Sequence, residues 1–288
     1  MTAAVLSGRE LAARIRESVT AGIAAMPPGA SRPALAVVTA TADGASGWYV
    51  RSIAAAAEKV GISCEIVDLG QDATPELIGA ALADLSAAAT VSGIIAATPL
   101  PGGGKLSDFG HLIDPAKDVD GANPLSLGRL AVGLPAFAPA TAEAVIRLLE
   151  RYDVALAGRH AVVVGRSAVV GKPVAQLLLD RHATVTICHS RTRDLPAITR
   201  TADVLIAAVG RAGLITADHV RPGAVVIDVA TNSSDDGGLV GDVDPLVAAV
   251  AGALSPVPGG VGPVTTALLR AHVLAAADGG GRGLVRSE

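Results

Sequence analysis

The sequence predicts an α/β protein with two domains, each built on a parallel sheet. Short apolar runs rich in Val and Ile alternate along the chain with longer runs rich in Ala and Leu, and the short runs are continuously apolar. Strands have this continuous pattern when helices cover both faces of a sheet, and alternation of strands with helices produces parallel sheets. A length of 288 residues allows two domains.

The individual elements follow from the same alternation. Apolar β-branched runs predict strands at Leu35–Val38, Ser63–Leu69, Val91–Ala96, Ala161–Val164, Thr184–Cys188, Val204–Ala208 and Ala224–Val229. The intervening helical patterns predict helices at Gly47–Val60, Thr74–Ala88, Thr141–Tyr152, Lys172–Arg181 and Val264–Ala277.

A stretch without periodicity marks the predicted domain boundary. The segment GLPAFAPAT at 133–141 combines two prolines with a glycine, and a second break lies at 255–263. We therefore expect a first domain over 1–138 that is completed by a returning helix at 263–278. The second domain is expected over 139–262, and the Gly-rich end at 279–288 is expected to be a frayed tail.

Composition argues against several classes of protein. The formal net charge is −4 with no block of like charge, which argues against a nucleic-acid or membrane surface. No apolar run reaches the ~18 residues of a membrane span, and the first ten residues do not read as a secretory signal. Cys64 and Cys188 lack metal-ligand spacing, so we interpret them as reduced core thiols of a cytosolic protein and expect no metal site.

A strand, a glycine-containing turn and a helix follow one another in AVVVGRSAVVGKPVAQLLL. Gly165 ends the strand and Gly171 opens the helix, whose N-terminus is expected to offer free backbone donors to a pyrophosphate. Ser167 and the altered spacing make this a weaker pattern than G-x-G-x-x-G, and an isolated example would be an ordinary βα turn. Its place in the βαβ series favours a Rossmann-type dinucleotide-binding domain.

The residues after the next strand favour NADP over NAD. An NAD site carries an acid there for the ribose 2′-hydroxyl, whereas this chain has Ser190 and Arg191, with Arg166 in the first loop. Guanidinium groups can pair with a 2′-phosphate. The alternative is that these are solvated loop residues.

Several strings in order along the chain, over about residues 5 to 275, resemble one family. They are GASGWYV, PLP, KDVDGANPLSLGRL, VVVGRSAVVGKPVAQLL, CHSRTRDL, VIDVATN, GDVD and SPVPGGVGPVT. Together they resemble the bifunctional methylenetetrahydrofolate dehydrogenase/methenyltetrahydrofolate cyclohydrolases. The resemblance implies a cytosolic homodimer with an N-terminal folate-binding catalytic domain, a C-terminal NADP-binding domain and a tetrahydrofolate derivative as substrate.

The resemblance also implies roles for individual residues. Tyr49 matches a tyrosine that stacks on the folate, and Asp120 matches an aspartate that hydrogen-bonds the pterin; both are candidate catalytic residues. The remaining candidate folate-binding positions are Ile53, Ala97, Thr98, Pro258, Gly259 and Gly260. The candidate cofactor-binding residues are Gly165, Arg166, Ser167, Gly171, Ser190, Arg191 and Thr231.

Two positions depart from the family pattern. The family's Y-x-x-x-K lysine, the central acid/base group of the cyclohydrolase step, is replaced by Ile53, and a glutamine that assists it is replaced by Ala97. Hydride transfer needs alignment without proton transfer by the protein, whereas hydrolysis needs general acid–base catalysis. We therefore expect methylenetetrahydrofolate dehydrogenase activity with weak or lost cyclohydrolase activity.

Three alternatives stay open from the sequence. Another group could restore hydrolysis, although Arg51 is expected to face away from Tyr49 and Lys59 lies about 15 Å along the helix axis. The chain could be a paralogue that acts on a different substrate. It could also be a non-catalytic NADP-binding protein.

Overall fold

A computed structural model describes residues 2–41, 44–234 and 238–279, with the backbone alone at 44–46, 48, 49 and 107. The helices are α1 Arg9–Ala24, α2 Gly44–Glu58, α3 Pro75–Ala87, α4 Leu106–Phe109, α5 Pro124–Ala131, α6 Ala140–Arg151, α7 Gly171–Leu179, α8 Leu195–Thr199 and α9 Val261–Ala277. The strands are β1 Ala4–Val5, β2 Ala34–Thr39, β3 Ser63–Asp68, β4 Gly93–Ala96, β5 His160–Val164, β6 Thr184–Cys188, β7 Val204–Ala207, β8 Val225–Asp228, β9 Asn232–Ser233, β10 Leu239–Val240 and β11 Ala253–Leu254.

The chain forms two compact units. Unit 1 comprises the chain up to Ala13 together with Thr141–Thr265, and unit 2 comprises Arg14–Ala140 with the chain from Thr266 onward. This division differs from the expected boundaries in the first 13 residues. The reason is that β1 pairs in parallel with β11, which ties the N-terminus to the sheet of unit 1.

Unit 1 has a six-stranded sheet in the order β1-β11-β8-β7-β5-β6, with every neighbouring pair parallel. The chain runs from β5 to β6 on one side and then to β7 on the other side of β5. This reversal is the topological switch point at which doubly wound sheets bind ligands, beyond the carboxyl ends of the strands. The predicted α/β class and the Rossmann-like second domain are confirmed.

Unit 2 has a three-stranded parallel sheet in the order β3-β2-β4. Successive residues of a strand point to opposite faces, so each strand supplies two cores. Leu35, Val37, Ile95 and Ala97 belong to an apolar cluster with residues of α1, α2 and α9. Their neighbours Ala36, Val38, Ile94 and Ala96 belong to a second cluster with residues of α3. Helices on both faces explain why β2 and β4 are continuously apolar.

Local signals explain where several helices begin. Thr74 caps α3 by accepting the Leu77 N–H at 3.3 Å, and Pro75 occupies the first turn, where no N–H is needed. Asn123 caps α5 in the same way by accepting the Leu125 N–H at 2.6 Å. No helix among the described residues is long and apolar enough to cross a membrane.

The two cysteines are free thiols in different surroundings. Cys188 is fully buried at the end of β6, as expected of a core thiol, but Cys64 on the edge strand β3 is only half-buried. Burial is the main cause that raises the pKa of the Cys64 thiol to about 11, and the neighbouring Glu58 carboxylate raises it further. A thiol with this pKa is a poor nucleophile at neutral pH.

Candidate functional site

The loop between β5 and α7 depends on two glycines that admit close backbone contacts. Gly165 has a φ of +127°, and a Cβ there would overlap the carbonyl oxygen of Ala208, which follows β7. A Cβ on Gly171 would lie 2.5 Å from the carbonyl carbon of Gly165. Any side chain at either position would force the loop apart, so both glycines are required by the geometry.

Ser167 holds this loop closed from inside. Its hydroxyl accepts the Val170 N–H at 3.1 Å and the Gly171 N–H at 3.4 Å, and its carbonyl accepts the Lys172 N–H at 3.1 Å. The sequence predicted free donors at the start of α7, and this part of the prediction is wrong because Ser167 already engages them. The helix still offers the positive end of its dipole, and the exposed Arg166 adds a full charge.

The turn after β6 presents the other predicted cofactor residues. The Thr192 hydroxyl accepts the His189 N–H at 2.8 Å, and His189 Nδ1 accepts the Arg191 N–H at 3.1 Å, so the turn is internally fixed. Ser190 and Arg191 are both exposed on it. A hydroxyl and a guanidinium beside the carboxyl end of β6 suit a phosphate carried on a ribose.

Asp242 organises the loop after β7, and sequence reasoning gave it no role. It is fully buried, and its carboxylate accepts the N–H groups of Val209 at 2.6 Å, Gly210 at 3.0 Å and Arg211 at 2.7 Å. It also accepts from the side-chain amide of Asn232 at 3.1 Å. The signal available in the sequence was the string GDVD, in which Asp242 and Asp244 follow a glycine. At this glycine position a side chain would not fit.

That glycine, Gly241, packs on a second buried acid. Asp228, at the end of β8, accepts the N–H of Asp242 at 3.0 Å and that of Val243 at 2.9 Å, and a Cβ on Gly241 would overlap its carboxylate. Burial is the largest cause that raises the pKa of Asp228 to about 6, and these N–H bonds lower it. The exposed Thr231 lies three residues after Asp228.

The glycine-rich loop before α9 belongs to unit 1. Pro258 is exposed, whereas Gly259 and Gly260 are buried against the start of the chain. The Gly259 carbonyl accepts the Gly8 N–H at 2.9 Å, and a Cβ on Gly259 would lie 3.2 Å from Arg9 Nε. The glycines therefore permit close packing of this loop, which leaves Pro258 on its surface.

In unit 2, the loop that contains Asp120 is built around its neighbour Asp118. Asp118 is buried, and its carboxylate accepts the Ala122 N–H at 2.9 Å and the Asn123 N–H at 2.8 Å. Gly121 has a φ of +67°, and a Cβ there would lie 2.5 Å from the Ala138 carbonyl carbon. The loop backbone is thereby fixed on both sides of Asp120.

The Asp120 carboxyl titrates near neutrality. Its side chain keeps partial exposure, yet the dense protein around it makes loss of hydration the main cause that raises its pKa to about 7. The charge of Asp118 raises this pKa further, and His272 lowers it. Asp120 is therefore an acceptor of hydrogen bonds above neutral pH and a donor below it.

Positions 53 and 97 lie in one apolar cluster. Ile53 of α2 is 6% exposed and Ala97, directly after β4, is 7% exposed, and both belong to the cluster formed with Val37 and Ile95. The structure thus places the two predicted departures from the family pattern on the same face of the sheet. Thr98 is exposed, and Tyr49 belongs to α2 with its side chain outside the described part of the chain.

The cationic neighbours of Ile53 in sequence point elsewhere. Arg51 and Lys59 are both exposed, whereas Ile53 is buried. This agrees with the expectation that neither replaces an amine at position 53. In the described residues, no three His, Cys, Asp or Glu side chains gather as the ligands of a metal would.

The fold and these loops define a two-unit α/β protein whose doubly wound unit carries a glycine-containing loop at its switch point. Sequence profiles described as the catalytic domain and the NAD(P)-binding domain of tetrahydrofolate dehydrogenase/cyclohydrolase match residues 6–120 and 139–279. The chain belongs to the tetrahydrofolate dehydrogenase/cyclohydrolase family.

Individual relatives agree with this membership. The chain is 62% identical over 274 residues to "Bifunctional protein FolD 1" of Saccharopolyspora erythraea, covering 95% of this chain and 94% of that protein. The FolD dehydrogenase/cyclohydrolase structure from Campylobacter jejuni matches with a TM-score of 0.91 at 37% identity, covering 96% of this chain and 98% of that one. The Trypanosoma brucei FolD structure, solved with NADP cofactor and inhibitor, matches with a TM-score of 0.90 at 33% identity over the same shares of the two chains.

Proposed function

We propose that this protein oxidises 5,10-methylenetetrahydrofolate to 5,10-methenyltetrahydrofolate with NADP. The observation that carries the proposal is the loop of Gly165 and Gly171, closed by Ser167 at the switch point of the sheet. The solved relative from Trypanosoma brucei that holds NADP supports the choice of cofactor. When bound, NADP supplies a nicotinamide carbon that accepts a hydride.

The residues of unit 1 fit this cofactor. The two glycines let the backbones of Gly165, Gly171 and Ala208 approach one another more closely than a Cβ would permit. The exposed Ser190 and Arg191 provide a donor and a cation for the 2′-phosphate, and Arg166 provides a second cation. Asp242 keeps the loop after β7 in one shape through three backbone N–H bonds.

The residues of unit 2 bind and orient the folate. In its ionised form Asp120 accepts two parallel N–H bonds from the aminopyrimidinone edge of the pterin. Tyr49 provides an aromatic face for stacking, and Thr98 lies exposed at the end of β4. The hydride leaves the methylene carbon with its electron pair, and the remaining cation is shared by the two nitrogens. No proton is released in this step, so orientation is what the protein must provide.

We further propose that hydrolysis of the methenyl product is weak or lost. This step needs a water made nucleophilic and a proton delivered to nitrogen, for which a positioned general acid–base typically contributes 10²–10⁴-fold. At positions 53 and 97 this chain has an isoleucine and an alanine within an apolar cluster. Neither side chain can transfer a proton.

A pair of assays tests both parts of the proposal. The protein is mixed with NADP and methylenetetrahydrofolate, and NADPH formation is followed; separately, decay of methenyltetrahydrofolate is compared with the uncatalysed rate. We expect NADPH formation without accelerated decay. A folded protein that binds NADP but forms no NADPH would contradict the proposal, in favour of a different substrate or a non-catalytic role. Accelerated decay would contradict the loss of hydrolysis.

Restoring the two polar side chains tests the cause of that loss. The double variant Ile53→Lys/Ala97→Gln is expected to hydrolyse methenyltetrahydrofolate on the order of 10²-fold faster than the wild type, because a buried amine titrates closer to neutrality. The matched control is Ile53→Met/Ala97→Gln, which has a similar volume without the amine. An unchanged rate in a folded lysine variant that still binds folate would count against the amine argument.

A further inference from the structure

An imidazole in unit 2 lies buried behind the loop of Asp120. His272, near the middle of α9, is 1% exposed in a stretch of helix that is otherwise mostly aliphatic. Its Nδ1 lies 2.8 Å from the carbonyl oxygen of Val119, and its ring centroid lies 5.0 Å from that of Phe137, at an interplanar angle of 37°. The imidazole therefore contacts the backbone of Val119, the residue between Asp118 and Asp120.

The contact with Val119 fixes which nitrogen carries a hydrogen. A carbonyl oxygen can only accept, so the Nδ1–H of His272 must donate to it. In the neutral ring Nε2 is then the unprotonated nitrogen, and in the imidazolium both nitrogens are donors. The hydrogen bond to the Val119 carbonyl persists in both forms. Protonation of His272 therefore changes the charge next to the Asp120 loop without breaking this hydrogen bond.

The charges that act on Asp120 come from two elements. Asp118 in the same loop raises the pKa of Asp120, and His272 from α9 lowers the pKa of both carboxyls. Lys117 is directed elsewhere, because its Nζ donates to the carbonyls of Ser86 and Ala88 at 2.7 Å each. Arg270 lies two positions from His272, roughly 200° around the helix. Of these neighbours, His272 is the one that acts to lower the pKa of Asp120.

We propose that His272 is a positioning residue for folate binding that acts through Asp120. It anchors the Val119 peptide, and its imidazolium form favours the ionised Asp120 carboxylate, which accepts the pterin N–H groups. This inference rests on the proposed function, because it takes the pterin edge as the partner of Asp120.

The variant that separates charge from anchoring is His272→Asn, because an asparagine amide can occupy the place of Nδ1–H and remains neutral. In ligand-free protein labelled with ¹³C at the Asp carboxyls, we expect the Asp120 titration midpoint, assigned with Asp120→Asn, to lie near 7 in the wild type. In His272→Asn we expect the Asp120 titration midpoint to lie about 1 unit higher.

The ionised fraction of Asp120 at pH 7 would then fall from about one half to about one tenth. The KM for methylenetetrahydrofolate should rise about fivefold at pH 7 with kcat unchanged, and the difference should vanish by pH 9.

A KM increase of equal size at pH 7 and pH 9, or an unmoved Asp120 midpoint in a folded variant, would show a merely structural role and overturn the inference. If the variant does not fold, the ¹⁵N shifts of the wild-type imidazole decide, since a ring that stays neutral from pH 5 to 9 cannot supply the charge.

The carboxyl titration can be measured without folate, so it is independent of the proposed function. A shifted midpoint in a protein that neither binds nor oxidises the folate would therefore overturn the proposed function and the folate part of this inference together. An unmoved midpoint in an active enzyme would overturn this inference alone.

Discussion

The loop of Gly165 in unit 1 and the loop of Asp120 in unit 2 reach close packing in different ways. In unit 1 the contacts are made by backbone, and the charged side chains Arg166 and Arg191 remain exposed. In unit 2 a buried carboxylate holds the backbone, and a second carboxyl titrates near neutrality. The shape of the first loop thus depends on where side chains are absent, whereas the titration of the second depends on which side chains are buried together.

The largest expected effect comes from adding one methyl group to the unit 1 loop. In Gly171→Ala the new Cβ meets the backbone of Gly165, which has no flexible end that could move aside. An overlap of this kind costs about 1–3 kcal/mol, so we expect NADP affinity to fall by up to about 100-fold in a titration. Unchanged affinity would break the argument that backbone contacts build this site.

Removing the charge from the turn after β6 should have a smaller effect that depends on the cofactor. Arg191→Ala should weaken NADP binding about 10- to 30-fold, since a hydrogen bond to a charged group contributes about 1.5–2 kcal/mol, and should leave NAD binding nearly unchanged. Arg159→Ala is the matched control, because Arg159 precedes β5 at the opposite end of the strand. An equal loss for both cofactors would contradict recognition of a 2′-phosphate.

In the unit 2 loop, the ionised form of Asp120 should lower the free energy of unfolding by an amount that depends on pH. Its folded pKa of about 7 lies above the ordinary value of 3.8, so the folded state retains the proton longer and stability falls as pH rises through that window. Asp120→Asn removes this cost. Allowing for solvent screening of a partly exposed group, the gain is about 1 kcal/mol, or about 2–4 °C in Tm, developing between about pH 4 and 7, the unfolded and folded pKa values.

Asp203 in unit 1 provides the control of opposite sign. The His160 N–H is the main cause that lowers the pKa of Asp203, with a contribution from Arg221 at 2.9 Å. The stability from Asp203 is present above its ordinary pKa, so Asp203→Asn should lose stability by an amount that is constant from pH 5 to 8. If the change in the free energy of unfolding depended on pH in the same way for the two variants, the surroundings of Asp120 would not disfavour its ionised form.

The smallest effect is expected at a glycine that touches nothing. A Cβ on Gly128 of α5 would meet no atom within 4 Å, so Gly128→Ala should raise the free energy of unfolding by about 0.5–1 kcal/mol through backbone entropy alone. Denaturant unfolding with an unchanged m-value measures it. A loss of stability here would weaken the contrast with Gly171, because the position of the added methyl group would no longer explain the difference.

The long elements and the glycine loop could be predicted because their signals are local. The predicted strand Thr184–Cys188 matches β6, and Leu35–Val38 lies inside β2. The two-residue strands β1 and β11 went unpredicted because they are too short to have a period. Helix α1 also went unpredicted. Cofactor residues after β5 and β6 could be proposed because parallel strands end at one edge of a sheet.

The amino-acid sequence by itself determined the βαβ order, the two-domain α/β class and the glycines of the loop between β5 and α7, because apolar periodicity and missing side chains act over a few residues. Only the tertiary structure decided that the first residues pair with β11, that Asp242 holds the loop after β7, and that His272 lies behind Asp120. These contacts join segments that are distant in sequence. Their energies come from burial and charge, which no local pattern encodes.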